Sequence, residues 1–257
     1  MTDALLSQLT AARTGGARVA APEGLPDTME AAYAVASRLG DAIGRGAPVG
    51  WKVGATSAGA QAALGVPGPI RGRVFADGVA KAPATLAADE GLEAEPEIIV
   101  RLADTLEEGV VPRDADEATG FVGQVFVGLE VNRPSYTDPF AVGARGIVAD
   151  NAAHHGLVVG PRLGWGTPGN LADVTVALSL NGEPVSEGRG GDVLGNPLES
   201  IVWLANALAD HPDGPLRPGD WIATGAMARS AKLSAGDTLT AAFAPGGDVV
   251  LRIEDHA

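Results

Sequence analysis

The 257-residue chain is 46% hydrophobic, long enough to bury a sizeable core, and carries a formal net charge of −14. Such acidity repels a phosphate backbone and argues against nucleic-acid binding, and no apolar run nears the roughly 18 residues that a membrane span requires. Cysteine is absent, which removes disulfides, thiolate nucleophiles and Cys-ligated zinc and leaves Asp, Glu and His as the strong metal ligands.

The start, Met1-Thr2-Asp3-Ala4-Leu5-Leu6, has neither a basic segment nor a long apolar one, so a cytoplasmic protein is expected. Residues 4–12 put Leu5, Leu6, Leu9 and Ala12 on one helical face. A second helix is marked by Asp27 followed by Glu30, by the stripe Met29, Ala32, Tyr33, Ala36, Leu39 and Ile43, and by Gly44 and Gly46 at its end. Beyond residue 50 the texture becomes β-rich. Two short helices interrupt it, one capped by Asp114 with Glu117, the other starting at Asn196-Pro197-Leu198-Glu199. Val174, Val176, Leu178 and Leu180 alternate up to an Asn181-Gly182 hairpin turn, and residues 237–254 form a second alternating pair. Arg217-Pro218-Gly219-Asp220 and Ser234-Ala235-Gly236-Asp237 read as similar turns entering strands. No linker divides the chain, and Gly188-Arg189-Gly190-Gly191-Asp192 lacks the Lys-Ser/Thr ending of a phosphate loop.

Glu93, Glu95 and Glu97 stand at alternate positions before an apolar run, so an extended chain points Glu95 and Glu97 to one side. Like charges that close need a cation between them or a shared proton; alone, the pattern equally fits an exposed acidic edge. Glu130, inside the apolar Phe126–Val131 run, is the third carboxylate, and three carboxylates with waters suit Mg²⁺ or Mn²⁺. Lys52, in Gly50-Trp51-Lys52-Val53-Gly54, reads as an acid/base, an anion anchor or a surface lysine. Asp77 is ambiguous alone. His154 and His155 are adjacent and on a strand face opposite ways, which argues against joint metal binding.

In their shared order these segments resemble the fumarylacetoacetate hydrolase superfamily, nearest the branch of 2-oxopent-4-enoate hydratases and 4-oxalocrotonate (2-oxo-3-hexenedioate) decarboxylases of aromatic catabolism. The order runs from Gly50–Ser57, Phe75-Ala76-Asp77, Glu95-Pro96-Glu97-Ile98 and Leu129-Glu130-Val131 through Ala149-Asp150-Asn151-Ala152, Asn181-Gly182-Glu183 and Gly188-Arg189-Gly190 to Leu194–Pro197 and Leu216–Asp220. The resemblance implies an α+β fold, a β-rich mixed β-roll over residues 73–257 with a small helical N-terminal part over 1–72. It implies a Mg²⁺ or Mn²⁺ site on Glu95, Glu97 and Glu130 with Glu93 a bystander, Lys52 and Asp77 as the proton-handling pair, and substrate contacts at Arg73, Thr224 and Gly225. It also implies a homo-oligomer acting on a small 2-oxo acid. Many members carry Ser after the Asp-Asn-Ala motif, where this chain has Ala153, His154 and His155. The reaction implied is addition of water to a 2-hydroxy-2,4-dienoate or 2-oxo-4-enoate. Decarboxylation of a 2-oxo-3-enedioate, with Arg71, Arg73, Arg145 or Arg229 facing the distal carboxylate, is the alternative; cleavage of an acylpyruvate and a non-catalytic relative rank below it.

Overall fold

The computed structural model describes residues 2–107, 109–164 and 168–255. The chain begins with α1 (Thr2–Arg13) and α2 (Met29–Ala42), then β1 (Pro48–Gly54), α3 (Ala58–Leu64), β2 (Ile70–Phe75), β3 (Val79–Lys81), β4 (Ala84–Ala87) and β5 (Glu93–Leu102). It continues through α4 (Ala115–Ala118), β6 (Val122–Asn132), α5 (Gly143–Ala149), β7 (His154–Arg162), β8 (Thr175–Leu180) and β9 (Glu183–Arg189). Last come α6 (Glu199–Leu208), β10 (Trp221–Ala226), β11 (Ala231–Lys232), β12 (Thr238–Ala244) and β13 (Gly247–Glu254). This is the expected α+β roll with helices at its N-terminal end. None of the described helices is long and apolar enough to cross a membrane.

The strands form two sheets, one in the order β2-β1-β10-β5-β6-β7-β3 with β11 attached to β5, the other β4-β13-β12-β8-β9. Strand alternation decides what each face of the larger sheet does. On one face Ala94, Ile98, Val100, Val125, Val127 and Leu129 are buried against Leu239, Ala241, Val249 and Leu251 of the smaller sheet, the main core. The other face carries the carboxylates, with Val74, Ile99, Leu157, Val159 and Ala223 beside them.

Local signals worked unevenly. Asp114 caps α4, its Oδ1 accepting from the Glu117 amide at 2.9 Å. At α2 the cap is Thr28 rather than Asp27: the hydroxyl of Thr28 accepts from Ala31 N–H. The final helix begins at Glu199, later than Asn196 suggests, although Asn196 Oδ1 still accepts the Leu198 amide of the preceding turn. The two similar turns are built alike: Asp220 Oδ2 accepts from Arg217 N–H at 3.0 Å, and Asp237 Oδ2 from Ser234 N–H at 2.7 Å. Gly188 and Gly190 belong to packing, since a Cβ would sit 1.8 and 1.9 Å from the carbonyl oxygens of Met227 and Leu171.

The 72/73 boundary falls inside β2, and β1 and β2 are hydrogen-bonded into the larger sheet. What sets the N-terminal part apart is its own apolar cluster: Leu5, Leu9 and Ala12 of α1 pack with Ala32, Val35 and Leu39 of α2, Val148 and Ala149 of α5, and Ile70. A buried ion pair locks this cluster to the roll. Arg13 Nε donates to Asp150 Oδ1 and Arg13 Nη1 to the His154 carbonyl, both at 2.9 Å, while Asp150 also accepts from the amide and hydroxyl of Ser135 at 2.6 Å. Removing one partner of such a pair leaves the other charged, buried and alone, so Arg13→Met is expected to cost about 3–5 kcal/mol. Urea unfolding followed by Trp fluorescence measures it; a loss below about 1 kcal/mol would mean that α1 is not held through this pair.

Candidate metal centre and active site

β5 and β6 run antiparallel, with Glu95 directly opposite Glu130 and Glu97 opposite Gly128. Glu95, Glu97 and Glu130 thus share one face, and one oxygen from each lies within 4.8 Å of the others. Directly opposed like charges destabilise a sheet, and Glu97 and Glu130 are almost wholly buried. Glu93, two residues before Glu95, hydrogen-bonds to Ser230 and stands outside the cluster.

The surroundings partly answer the charge. Lys52 of β1, 6% exposed at its side chain, brings Nζ to 3.2 Å from Glu130 Oε1 and donates to Asn132 Oδ1 at 3.4 Å. Asn132 Nδ2 donates to Glu95 Oε2 at 3.2 Å. His154 Nδ1 lies 2.8 Å from the same Glu130 Oε1. Glu97 Oε2 accepts the Gly225 amide at 2.9 Å. That amide is delivered by a register shift of β10 against β5 between Ala223 and Ala226, with Gly225 at φ +122°; a Cβ there would lie 2.3 Å from Thr56 Oγ1.

The remaining oxygen, Glu97 Oε1, is buried without a hydrogen-bond partner among the described residues. An all-oxygen, triply carboxylate donor set with one oxygen orphaned fits a hard divalent cation. Without one the electrostatics are frustrated. Burial, then repulsion from Glu130, pushes Glu95 up to about 7, and burial with both neighbouring carboxylates pushes Glu97 well above its ordinary value. Burial also opposes ionisation of Glu130, but Lys52 and the His154 hydrogen bond outweigh it and hold that carboxyl below its usual range.

Not all the expected residues converge. Asp77, exposed at 62% of its side chain, pairs with Arg45 at 2.8 Å and lines a small cavity with Arg13 and His155 on the far face of β6 and β7. Arg73 is also turned away: it is opposite Trp51, not Lys52, and its guanidinium is held by Ser37 and Asp213. Thr224 spends its hydroxyl on the Ile98 carbonyl at 2.9 Å, and its own carbonyl accepts from Ser200. Gly225 reaches Glu97 rather than open space. Asn132 and His154 are the residues that the sequence reading missed. For Asn132 a signal existed, since it stands two residues after Glu130 on the same strand face. A cavity of about 760 Å³ lies on the carboxylate-bearing face beyond Ile99, against Phe126, Trp221 and Arg101. Its lining holds one carboxylate, Asp248, and none of Glu95, Glu97 and Glu130.

Known proteins point the same way. Residues 38–254 match the family model described as fumarylacetoacetate (FAA) hydrolase C-terminal. A TodF product hydratase of Pseudomonas putida is 31% identical, over 95% of this chain and 97% of its own. A 2-hydroxyhexa-2,4-dienoate hydratase of Comamonas testosteroni is 31% identical over 82% of this chain and 80% of its own. Among solved structures, 4-oxalocrotonate decarboxylase from Pseudomonas putida G7, complexed with magnesium and adipate, superposes with a TM-score of 0.83 at 27% identity, covering 98% of this chain and 97% of that one.

Two carboxyls with raised pKa make metal uptake pH-dependent. A raised folded-state pKa contributes stability at low pH that is lost as pH rises through it, here toward about 7 for Glu95. Metal-free protein is therefore expected to lose stability between about pH 5 and 8, and Mg²⁺ to restore it with proton release. Thermal unfolding should show a Mg²⁺ stabilisation that grows across this range, absent in Glu97→Gln and Glu130→Gln and retained in Glu93→Gln. A pH-independent Mg²⁺ effect, or one that survives in Glu97→Gln, would contradict the site.

Proposed function

The chain belongs to the fumarylacetoacetate hydrolase family, and we propose that within it the protein is a Mg²⁺- or Mn²⁺-dependent hydratase converting a 2-hydroxy-2,4-dienoate, through its 2-oxo-enoate tautomer, to a 4-hydroxy-2-oxo acid. The observation that carries this reading is the convergence of Glu95, Glu97 and Glu130 with the Lys52 ammonium 3.2 Å from Glu130. A cation held by the three carboxylates would polarise the 2-oxo group and stabilise the negative charge gathering there. In the addition, the water oxygen bonds to C4, the π pair of the conjugated alkene shifts toward the 2-oxo group, one proton leaves the water and one is added at C3.

Lys52 is the group we assign to the proton traffic at the carbon chain. It is the cation against the cluster, in a buried setting where an ammonium–carbon proton transfer meets little competing solvent. Asn132 holds it from one side and Glu130 from the other, which fixes its head. Asp77 has no part in this scheme, because Arg45 keeps it on the opposite face.

Decarboxylation of a 2-oxo-enedioate is the second reading, favoured by the likeness to the Pseudomonas putida G7 decarboxylase. Its substrate carries a second carboxylate that calls for a cation at the far end of the site. Arg73, Arg145 and Arg229 are engaged elsewhere or exposed, whereas the buried Arg71 keeps Nε and Nη2 without a hydrogen-bond partner among the described residues. Arg73 is on Asp213, Arg145 donates to the Asp27 carbonyl, Arg71 stacks 3.8 Å over the Tyr33 ring, and Arg229 faces solvent.

The test is an assay with Mg²⁺ against both substrate classes. Expected are loss of the dienoate chromophore with formation of the 4-hydroxy-2-oxo acid, and no CO₂ from the enedioate. CO₂ release without hydration would replace this reading with the second. Lys52→Ala is expected to lower kcat by roughly 10²–10⁴-fold, the span of a positioned acid–base group, with Mg²⁺ affinity not reduced. A rise in KM at unchanged kcat would make Lys52 an anchor for the substrate instead.

A further inference from the structure

The adjacent His154 and His155 are unused by the scheme above, and the structure separates them. His155 looks to the far face of β7, into the small cavity with Arg13, Arg45 and Asp77. His154 shares the carboxylate face. It is the cross-strand partner of Asn132, which itself contacts both Lys52 and Glu95. The ring is almost wholly buried, with Nδ1 at 2.8 Å from Glu130 Oε1, an oxygen that Lys52 also contacts.

An ionised carboxylate only accepts hydrogen bonds, so the bond to Glu130 places the proton of a neutral ring on Nδ1. Nε2 then carries the lone pair. That atom is buried and has no hydrogen-bond partner among the described residues. A buried acceptor left without a donor is costly and uncommon. With the other ring nitrogen spoken for, at the edge of a catalytic carboxylate cluster, the missing donor is expected to come from a ligand.

We propose that His154 Nε2 accepts a hydrogen bond from the oxygen that the reaction adds, present as water before addition and as the 4-hydroxyl of the product afterwards. This rests on the hydratase reading and gives it a residue for placing the water. Held by one O–H on Nε2, the water turns a lone pair toward C4, while Glu130 fixes the ring that holds it. His154 is on this view a catalytic residue toward the water and a positioning residue toward Glu130. The two roles use different nitrogens and so can be separated.

His154→Asn keeps an N–H in the place of Nδ1 and deletes Nε2; His154→Phe deletes both. Binding is measured by calorimetry, with Mg²⁺ present, for 4-hydroxy-2-oxopentanoate and for 2-oxopentanoate, which lacks the 4-hydroxyl. Wild type is expected to prefer the hydroxylated compound by about five- to tenfold, the worth of one hydrogen bond. In His154→Asn that preference should fall to about onefold with Mg²⁺ affinity retained, whereas His154→Phe should also lose about ten- to a hundredfold in Mg²⁺ affinity. Nitrogen-15 spectra of wild-type protein labelled at its four histidines should show the proton on Nδ1 of the resonance missing in His154→Asn. Its Nε2 signal should shift with 4-hydroxy-2-oxopentanoate and not with 2-oxopentanoate.

No preference in wild type, a preference that persists in His154→Asn, or a proton on Nε2 would each overturn the proposal. So would loss of Mg²⁺ binding in His154→Asn together with an Nε2 signal insensitive to the hydroxylated compound, since His154 would then only position Glu130. A wild-type enzyme that shows the preference yet does not hydrate a dienoate would count against the hydratase reading alone.

Discussion

Two glutamates face each other across neighbouring strands, a third joins them from the next position along, and most of the water that would screen them is gone. Glu95 opposes Glu130 in register, and Glu97 is buried beside both. Left to itself the arrangement works against folding, because burial and mutual repulsion both penalise the charged forms. Much else in the site reads as a response to it. Lys52 and His154 meet at one oxygen of Glu130, Asn132 bridges Lys52 to Glu95, and a distorted stretch of β10 lends Glu97 an amide. One oxygen of Glu97 remains without a hydrogen-bond partner among the described residues. The protein spends stability to hold a pocket of negative charge whose natural complement is a divalent cation.

The scaffold makes that strain tolerable by placing the carboxylates on strands with a firm second face. On the other face of β5 and β6 from the glutamates stand Ala94, Ile98, Leu129 and Val131, all buried in the inter-sheet core. A one-residue slip of either strand would bury the charges in that core and expose its apolar side, so register is strongly enforced. The helical N-terminal cluster is tied to the strand that carries His154. Arg13 ties α1 to Asp150 and to the backbone of His154, which connects the docking of the first helix to the placement of a residue on Glu130.

Much of this was legible in the sequence wherever the signal was local. The Glu-x-Glu alternation and a glutamate inside an apolar run implied a shared face, because strand periodicity is fixed by the backbone. The Asn181-Gly182 turn sits where expected, with both residues at positive φ. What escaped depends on distant partners. Asp77 and Arg73 were assigned to the site through resemblance, but each is claimed by a partner far along the chain, Arg45 and Asp213 respectively. Thr224 was expected to reach substrate and is instead tied to β5 through the Ile98 carbonyl. Adjacent residues on a strand face opposite ways, so only one of His154 and His155 can share the face of the carboxylates, and it is His154 that does.

The direct test of the central claim is where a divalent cation binds. Crystals soaked with Mn²⁺ and measured at the manganese absorption edge should give one dominant anomalous peak within about 2.0–2.4 Å of oxygens from Glu95, Glu97 and Glu130, with the Lys52 ammonium beside it and not displaced by it. A peak elsewhere with these three carboxylates unoccupied, or no ordered Mn²⁺ at concentrations that saturate activity, would contradict a metal-centred site.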